Sequence, residues 1–314
     1  MKILVTGGAG FIGSHIADAY LNAGHDVFII DNLSTGRRKN VNERALFYEM
    51  DIRDKAVADL FAEQKFDIVN HHAAQMDVRL SVKDPIYDAE NNVIGFLNIV
   101  QNAAVNKVNK VIYASSGGVI YGEQDYFPAD EDHPQRPYCP YGVTKLIGEK
   151  YLFYYAVTFG LKYTAFRYAN IYGPRQNPHG EAGVIAIFLQ KLFRGEQPVI
   201  NGDGRQTRDY VYIDDVVNAN VLALSKGDGE VYNIGTGVET DVNQIYDVLN
   251  ERTRANRPPQ HAPAKSGEQQ RSVLAIRKAA SQLGWQPLVP FALGIDKTVA
   301  YFEQNELQEG GAKS

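Results

Sequence analysis

The chain has 314 residues, 44% of them hydrophobic and 22% charged, enough to bury the core of one large or two ordinary domains. Its formal net charge of −5 excludes bulk attraction to nucleic acid or to an acidic membrane. A single cysteine, Cys139, excludes an intrachain disulfide and fits a reducing, cytoplasmic setting, and no apolar run is long enough to cross a bilayer.

Residues 2–6 read as a short apolar strand that starts too early to leave room for a signal peptide. Gly7-Gly8-Ala9-Gly10-Phe11-Ile12-Gly13 follows, a tight turn that opens a helix. Gly7 allows the turn, Gly10 lets a pyrophosphate approach the backbone, and Gly13 lets the helix pack on the strand. The phosphates would sit on the helix N-terminus, where amides are unpaired and the dipole is positive, with Phe11 and Ile12 in the first turn. A second strand over 27–30 ends at Asp31, an acid placed to bind ribose hydroxyls. The loop behind it offers Asn32, Ser34, Thr35 and Gly36, then three cations, Arg37, Arg38 and Lys39. The cations raise NADP as an alternative, but Asp31 would repel a 2′-phosphate, so NAD is favoured.

Strand and helix patterns alternate through the first half, which predicts βαβ units and a doubly wound parallel sheet of Rossmann type. A strand over 45–50 ends at Asp51 and Ile52, placed to touch adenine. The next, over 66–70, leads into His71-His72-Ala73-Ala74-Gln75. Paired histidines suggest metal, but no second ligand cluster follows at suitable spacing, and no metal is expected. Small Ala73 and Ala74 would instead let a cofactor lie close, with His72 and Gln75 beside it. Asp84-Pro85 starts a helix to about 106 whose apolar residues cover two faces, one for the sheet and one for a partner subunit.

A strand over 110–114 ends in Ser115-Ser116-Gly117-Gly118. Pro140 then starts a helix that sets Tyr141 and Lys145 one turn apart on one face. A free phenol, with a pKa of about 10, is a poor base at neutral pH. A nearby ammonium, helped by an oxidised nicotinamide, is expected to lower it. The serine hydroxyl would hold the reacting oxygen. Residues 151–155 continue this helix with apolar sides, so helices near 85–106 and 141–158 form a candidate homodimer face.

The motifs TGGAGFIGSH (6–15), SSGGVIYGE (115–123), YGVTK (141–145), RYANIYGPRQNP (167–178) and GDGRQTRDYVYIDD (202–215) together resemble the extended short-chain dehydrogenases/reductases, within them the UDP-galactose 4-epimerase-like enzymes. The resemblance implies a Rossmann-type NAD-binding domain over 1–170, to which 207–235 returns, and a smaller C-terminal α/β substrate domain over 171–314. It implies reversible oxidation at carbon 4 of a UDP-sugar through a 4-keto intermediate, with Ser116, Tyr141 and Lys145 catalytic and Ser115 the second candidate hydroxyl. Cofactor contacts extend to Asn92, Ser115 and Tyr168. Substrate contacts fall on Asn170, Val184, Val199, Asn201 and Arg208, the last on the diphosphate.

The chain departs from the pattern at Lys265-Ser266-Gly267-Glu268, where the family usually has an arginine on the diphosphate and an acid on the ribose. Glu268 keeps the acid, and Lys265 or Arg271 is left to supply the cation. Ser272 is small at a position tied to the sugar's 2-substituent and leaves room for an N-acetyl group. Dehydratases carry an acid pair, and decarboxylases a glutamate, where this chain has Gly117-Gly118, which favours simple epimerisation. Another nucleotide-sugar modifying enzyme (a dehydratase, decarboxylase or reductase) stays as the alternative, with a non-catalytic NAD-sensing regulator outside that class; the tyrosine argues against the regulator. Asp214 and Asp241 are read as caps of the two helices that follow them.

Overall fold

A computed structural model describes residues 1–179, 183–264 and 269–311, with side chains as far as 305. The strands are β1 (Lys2–Thr6), β2 (Asp26–Asp31), β3 (Leu46–Glu49), β4 (Ile68–His71), β5 (Lys110–Ser116), β6 (Lys162–Tyr168), β7 (Asn170–Tyr172), β8 (Val199–Asn201), β9 (Thr207–Tyr212), β10 (Glu230–Ile234), β11 (Glu239–Asp241) and β12 (Gln260–Ala262). Seven of them form one sheet in the order β10-β6-β5-β4-β1-β2-β3, every pairing parallel. Such a sheet must be covered on both faces, and β1 shows why. Ile3 and Val5 pack into one apolar cluster with Ile16, Tyr20 and Phe166, while Leu4 packs into the other with Phe28, Val69, Phe96 and Tyr113. Strand order reverses between β1 and β4, and ligands of such sheets bind at the carboxyl ends beside that point.

β10 reaches the sheet edge from far along the chain, pairing Asn233 with Arg167. The helix Ile213–Ala223 before it packs on the helix Phe11–Asn22. β9 instead forms a three-stranded sheet with β7 and β11, and β8 pairs only with β12. Asp84 and Asp241 cap as expected, accepting from the Tyr87 and Gln244 amides at 2.9 and 2.8 Å. Asp214 does not cap. β9 runs straight into its helix with Tyr212 at the N-cap, which leaves Asp214 in the first turn facing Lys297 at 3.1 Å.

The helix predicted from Pro85 is helical to Val105 but changes pitch. Pro85–Ala89 and Phe96–Val105 are α-helical, and Glu90–Gly95 between them is a π turn. Gly95 lies over buried Ile52, where a Cβ would come within 2.7 Å of its side chain. Turns of this kind are frequent at functional sites, and this one carries Asn92 inward.

Candidate active site

The glycine turn is as crowded as its spacing requires. Gly7 has a φ of 71°, and a Cβ there would lie 2.7 Å from the Ala73 amide nitrogen. A Cβ on Gly13 would lie 2.3 Å from the Gly7 carbonyl oxygen. Helix Phe11–Asn22 starts at Gly10 with no side-chain cap and no acid in its first turn, so Phe11 and Ile12 present amides suited to an anion. Asp31 is buried at the end of β2, its carboxylate accepting from the Ala9 amide at 2.9 Å and the Leu33 amide at 2.8 Å. Burial pushes that carboxyl up, against the two backbone bonds. Gly36 leans on it so closely that a Cβ would fall 2.7 Å from Oδ1.

Asn32, Ser34 and Thr35 follow on the open loop. The Ser34 hydroxyl donates to Asn32 at 2.7 Å. Asn32 in turn donates to Asp51 at 2.9 Å, and Arg53 holds that carboxylate at about 2 by hydrogen bonds from its guanidinium. Of the loop cations, Arg37 reaches Asn177 and Arg38 stacks over Phe47. A turn that only glycine fits, an uncapped helix end and a rigidly held acid form a cradle that suits a dinucleotide.

Across the switch point, Thr6 ties the end of β4 to β1. Its hydroxyl pairs with His71 Nδ1 at 2.9 Å and accepts from the Ala73 amide at 3.2 Å. His72, just beyond, is pushed down to about 3 by burial and by Lys145, so it stays neutral. Its Nε2 pairs with the Tyr168 hydroxyl at 3.3 Å, and Asn220 donates to the same oxygen at 2.9 Å. Ala74 lies half-buried between Ala73 and Gln75. Gln75 and Asn92 bond reciprocally: the Gln75 amide donates to Asn92 at 2.8 Å, and Asn92 returns a bond to the Gln75 carbonyl at 2.8 Å. Among the described residues no group of three or more metal-binding side chains occurs.

The paired serines separate because successive strand residues face opposite ways. Ser115 donates to buried Glu149 at 2.6 Å, and Arg167 grips the same carboxylate at 2.7 and 3.0 Å. Its hydroxyl proton is therefore directed at Glu149. Ser116 instead shares a hydrogen bond with the Tyr141 phenol. A Cβ on Gly118 would lie 3.9 Å from the Ser116 hydroxyl and 3.8 Å from the Asn170 side-chain oxygen, so these two side chains converge there. Gly117 has no such room, since its Cβ would fall 2.6 Å from Leu274.

Lys145 is buried and donates to the Ala114 carbonyl at 2.8 Å, with its ammonium 5.7 Å from the Tyr141 ring centroid. The expected acidification of the phenol is not seen within the protein itself. Tyr141 is half-buried by area yet set deep among protein atoms. Burial first, then Asp88, hold the phenol above the usual tyrosine range, and only the Ser116 bond opposes them. Burial also pushes Lys145 down, to about 8, with Asp88 working against it.

The substrate-side candidates are more dispersed. Asn170 begins β7, two residues past Tyr168. Val184 heads the helix Val184–Phe193. Val199 and Asn201 lie on the β8–β12 ribbon, and Gln206 donates to the Asn201 carbonyl at 3.1 Å. Arg208 on β9 donates to the Thr207 carbonyl at 2.8 Å and pairs with neither Asp203 nor Asp209 in the described contacts. Arg271 is held by Glu239 at 2.7 and 2.9 Å, with its guanidinium 3.9 Å from the Phe127 ring centroid. Ser272 beside it is buried. Lys265 and Glu268 lie outside the described residues.

Sequence reasoning missed Thr6, Asp88, Thr144 and the Glu149–Arg167 pair. Only Glu149 left a signal, one turn beyond Lys145 on the same helix face.

The sheet order, the glycine cradle and the serine–tyrosine–lysine group define a dinucleotide-dependent α/β enzyme. The chain belongs to the NAD dependent epimerase/dehydratase family, which matches residues 3–235. It is 43% identical to the UDP-glucose 4-epimerase of Mycolicibacterium smegmatis over 308 residues, covering 96% of this chain and 98% of that one. The crystal structure of the Thermotoga maritima UDP-glucose 4-epimerase with UDP-glucose superposes with a TM-score of 0.96 at 47% identity, covering 98% of this chain and all of that one. The Thermus thermophilus UDP-glucose 4-epimerase in complex with NAD gives a TM-score of 0.91 at 42% identity, covering 96% and 99%.

Proposed function

We propose that this protein interconverts UDP-glucose and UDP-galactose, using NAD that it keeps through the cycle. The observation that carries the reading is the approach of Ser116, itself bonded to the Tyr141 phenol, and Asn170 to Gly118, where elimination chemistry would need a carboxylate and this chain has only hydrogen. Full-length similarity to UDP-glucose 4-epimerases supports it.

The cradle around Gly7, Gly10, Gly13 and Asp31 would hold the dinucleotide, with His72, Ala73 and Tyr168 toward its nicotinamide end. When bound, NAD supplies the acceptor for the hydride leaving carbon 4 and the donor that returns it. The chain's own residues handle the proton. Tyr141 as phenolate takes the proton of the 4-hydroxyl, and Ser116 donates a hydrogen bond to that oxygen and holds it in line. Lys145, fixed to the Ala114 carbonyl, places a positive charge against the phenolate. The 4-keto sugar then turns over, and Tyr141 gives the proton back on the other face. Arg208 and Arg271 would neutralise the diphosphate, Arg271 by leaving or sharing Glu239. Val184, Val199, Asn201 and Glu268 are assigned to the nucleoside.

Ser272 leaves room beside the sugar's 2-position, so the N-acetyl forms are proposed as further substrates. We assign the working form as a homodimer. Ile86, Ile94, Phe153 and Val157 are each more than half exposed along two adjacent helices. An open apolar groove of about 620 Å³ runs between those helices, lined by Ala89, Val93, Tyr138, Val143 and Ile147 among others. A cytoplasmic location suits the single free cysteine.

The test is a panel of UDP-glucose, UDP-galactose and their N-acetyl forms incubated with purified protein and no added NAD, with products separated by chromatography. Interconversion of the first pair is expected. No conversion of either, or turnover only with external NADPH, overturns the proposal. Failure on the N-acetyl pair alone removes only the Ser272 reading.

A further inference from the structure

Asp88 is fully buried on an otherwise exposed turn, between Tyr87 at 36% exposure and the half-buried Ala89. Three donors from three segments meet its carboxylate. Gln75, from the loop after β4, donates to Oδ1 at 2.9 Å, and Asn92, from the π turn, donates to the same oxygen at 3.0 Å. Thr144, from the helix of Tyr141 and Lys145, donates to Oδ2 at 2.9 Å. Thr144 precedes Lys145 directly and reaches the Tyr141 carbonyl at 3.0 Å.

A neutral amide would satisfy most of these donors. Burying a carboxylate costs several kcal/mol more than burying a neutral group, so the charge itself calls for a reason. The cation acting on it is Lys145. The other groups facing this helix are neutral or otherwise engaged. His71 and His72 are held neutral by burial, Tyr113 is buried with its phenol above the usual range, and Glu149 is bound to Arg167. Cys139 caps the helix start.

We propose that Asp88 is a positioning residue for the reacting pair: it ties the loop after β4, the π turn and the catalytic helix into one cluster and sets a fixed negative charge beside the turn that carries Tyr141 and Lys145. The proposal rests on the reading of Tyr141 and Lys145 as the reacting pair, and not on which sugar is turned over. The same charge works against the phenolate, so a positive group besides Lys145 would offset it when Tyr141 ionises.

The experiment is a ¹³Cε-lysine NMR titration of the protein as purified, with the Lys145 signal assigned by its loss in Lys145→Met. In Asp88→Asn, which keeps the shape and two of the acceptor contacts, the Lys145 transition moves to lower pH by roughly half a unit or more. Thr144→Val keeps the carboxylate and removes only one of its donors, so the Lys145 transition moves less than in Asp88→Asn. Coincident Lys145 transitions in the wild type and every folded variant overturn the proposal. The readout needs no sugar, so a failed UDP-glucose assay and a failure here are separate results.

Discussion

Lys145 bonds the sheet and not the tyrosine hydroxyl. Its ammonium lies 2.8 Å from the Ala114 carbonyl at the end of β5 and 5.7 Å from the Tyr141 ring centroid. The charge is thus fixed to the scaffold beside the phenol ring and cannot follow a moving side chain. Removing the phenol hydroxyl in Tyr141→Phe should therefore lower kcat by about 10²–10⁴-fold with near-normal folding and NAD content. Steady-state kinetics beside the absorbance of released NAD checks this.

The same burial gives Lys145 a stability signature. Its folded value of about 8 lies below the 10.5 of an exposed lysine. Between those values the unfolded chain holds the extra proton, so stability rises with pH. The wild type should gain roughly 3 kcal/mol over the whole window, most of it between pH 8 and 10. Lys145→Met should lack that gain, which the difference between their urea midpoints at pH 7.5 and 9.5 would show.

Glu149 and Arg167 form the most deeply buried ion pair among the described residues, 4% and 3% exposed at 2.7 Å. Ser115, Tyr121 and the Glu131 carbonyl complete its hydrogen bonds. Glu149→Gln leaves the guanidinium buried without its counter-charge, and about 3–5 kcal/mol of stability should be lost. Denaturant unfolding at constant m-value is the measure.

Gly13→Ala tests the cofactor cradle. A methyl 2.3 Å from the Gly7 carbonyl oxygen cannot be absorbed by a flexible side chain, because the obstacle is backbone. The turn must open, and the purified protein should carry several-fold less NAD than wild type, read after acid release.

The proposed dimer face is tested by charge. Phe153 and Val157 are 61% and 71% exposed, one turn apart on the helix Pro140–Phe159. Replacing both with glutamate places like charges across a symmetric contact and should yield monomers by sedimentation velocity. An unchanged wild-type-like sedimentation coefficient would remove that face from the interface.

Features written in short spacings are legible in the residues alone. The glycine turn is a local steric requirement. Asp31 follows from strand length, and Tyr141 with Lys145 follows from the helical repeat. Period-two alternation tells that adjacent serines face apart but not which faces the cleft. That depends on Glu149 and Arg167, brought from a helix and a strand 34 and 52 residues beyond Ser115. Asp214 mimics a cap because the capping pattern cannot sense that β9 enters its helix without a turn.

The sequence by itself determined the α/β class, the dinucleotide turn and the tyrosine–lysine pair, because each depends on neighbours within a few residues or on the strand–helix rhythm. Tertiary structure alone decided the docking of β10 beside β6, the different partners of Ser115 and Ser116, the salt link that restrains Arg271, and the charge balance at the phenol. That balance is set by burial and by Asp88, 53 residues before Tyr141. Desolvation and through-space charge depend on packing in three dimensions, which residue spacing along the chain does not encode.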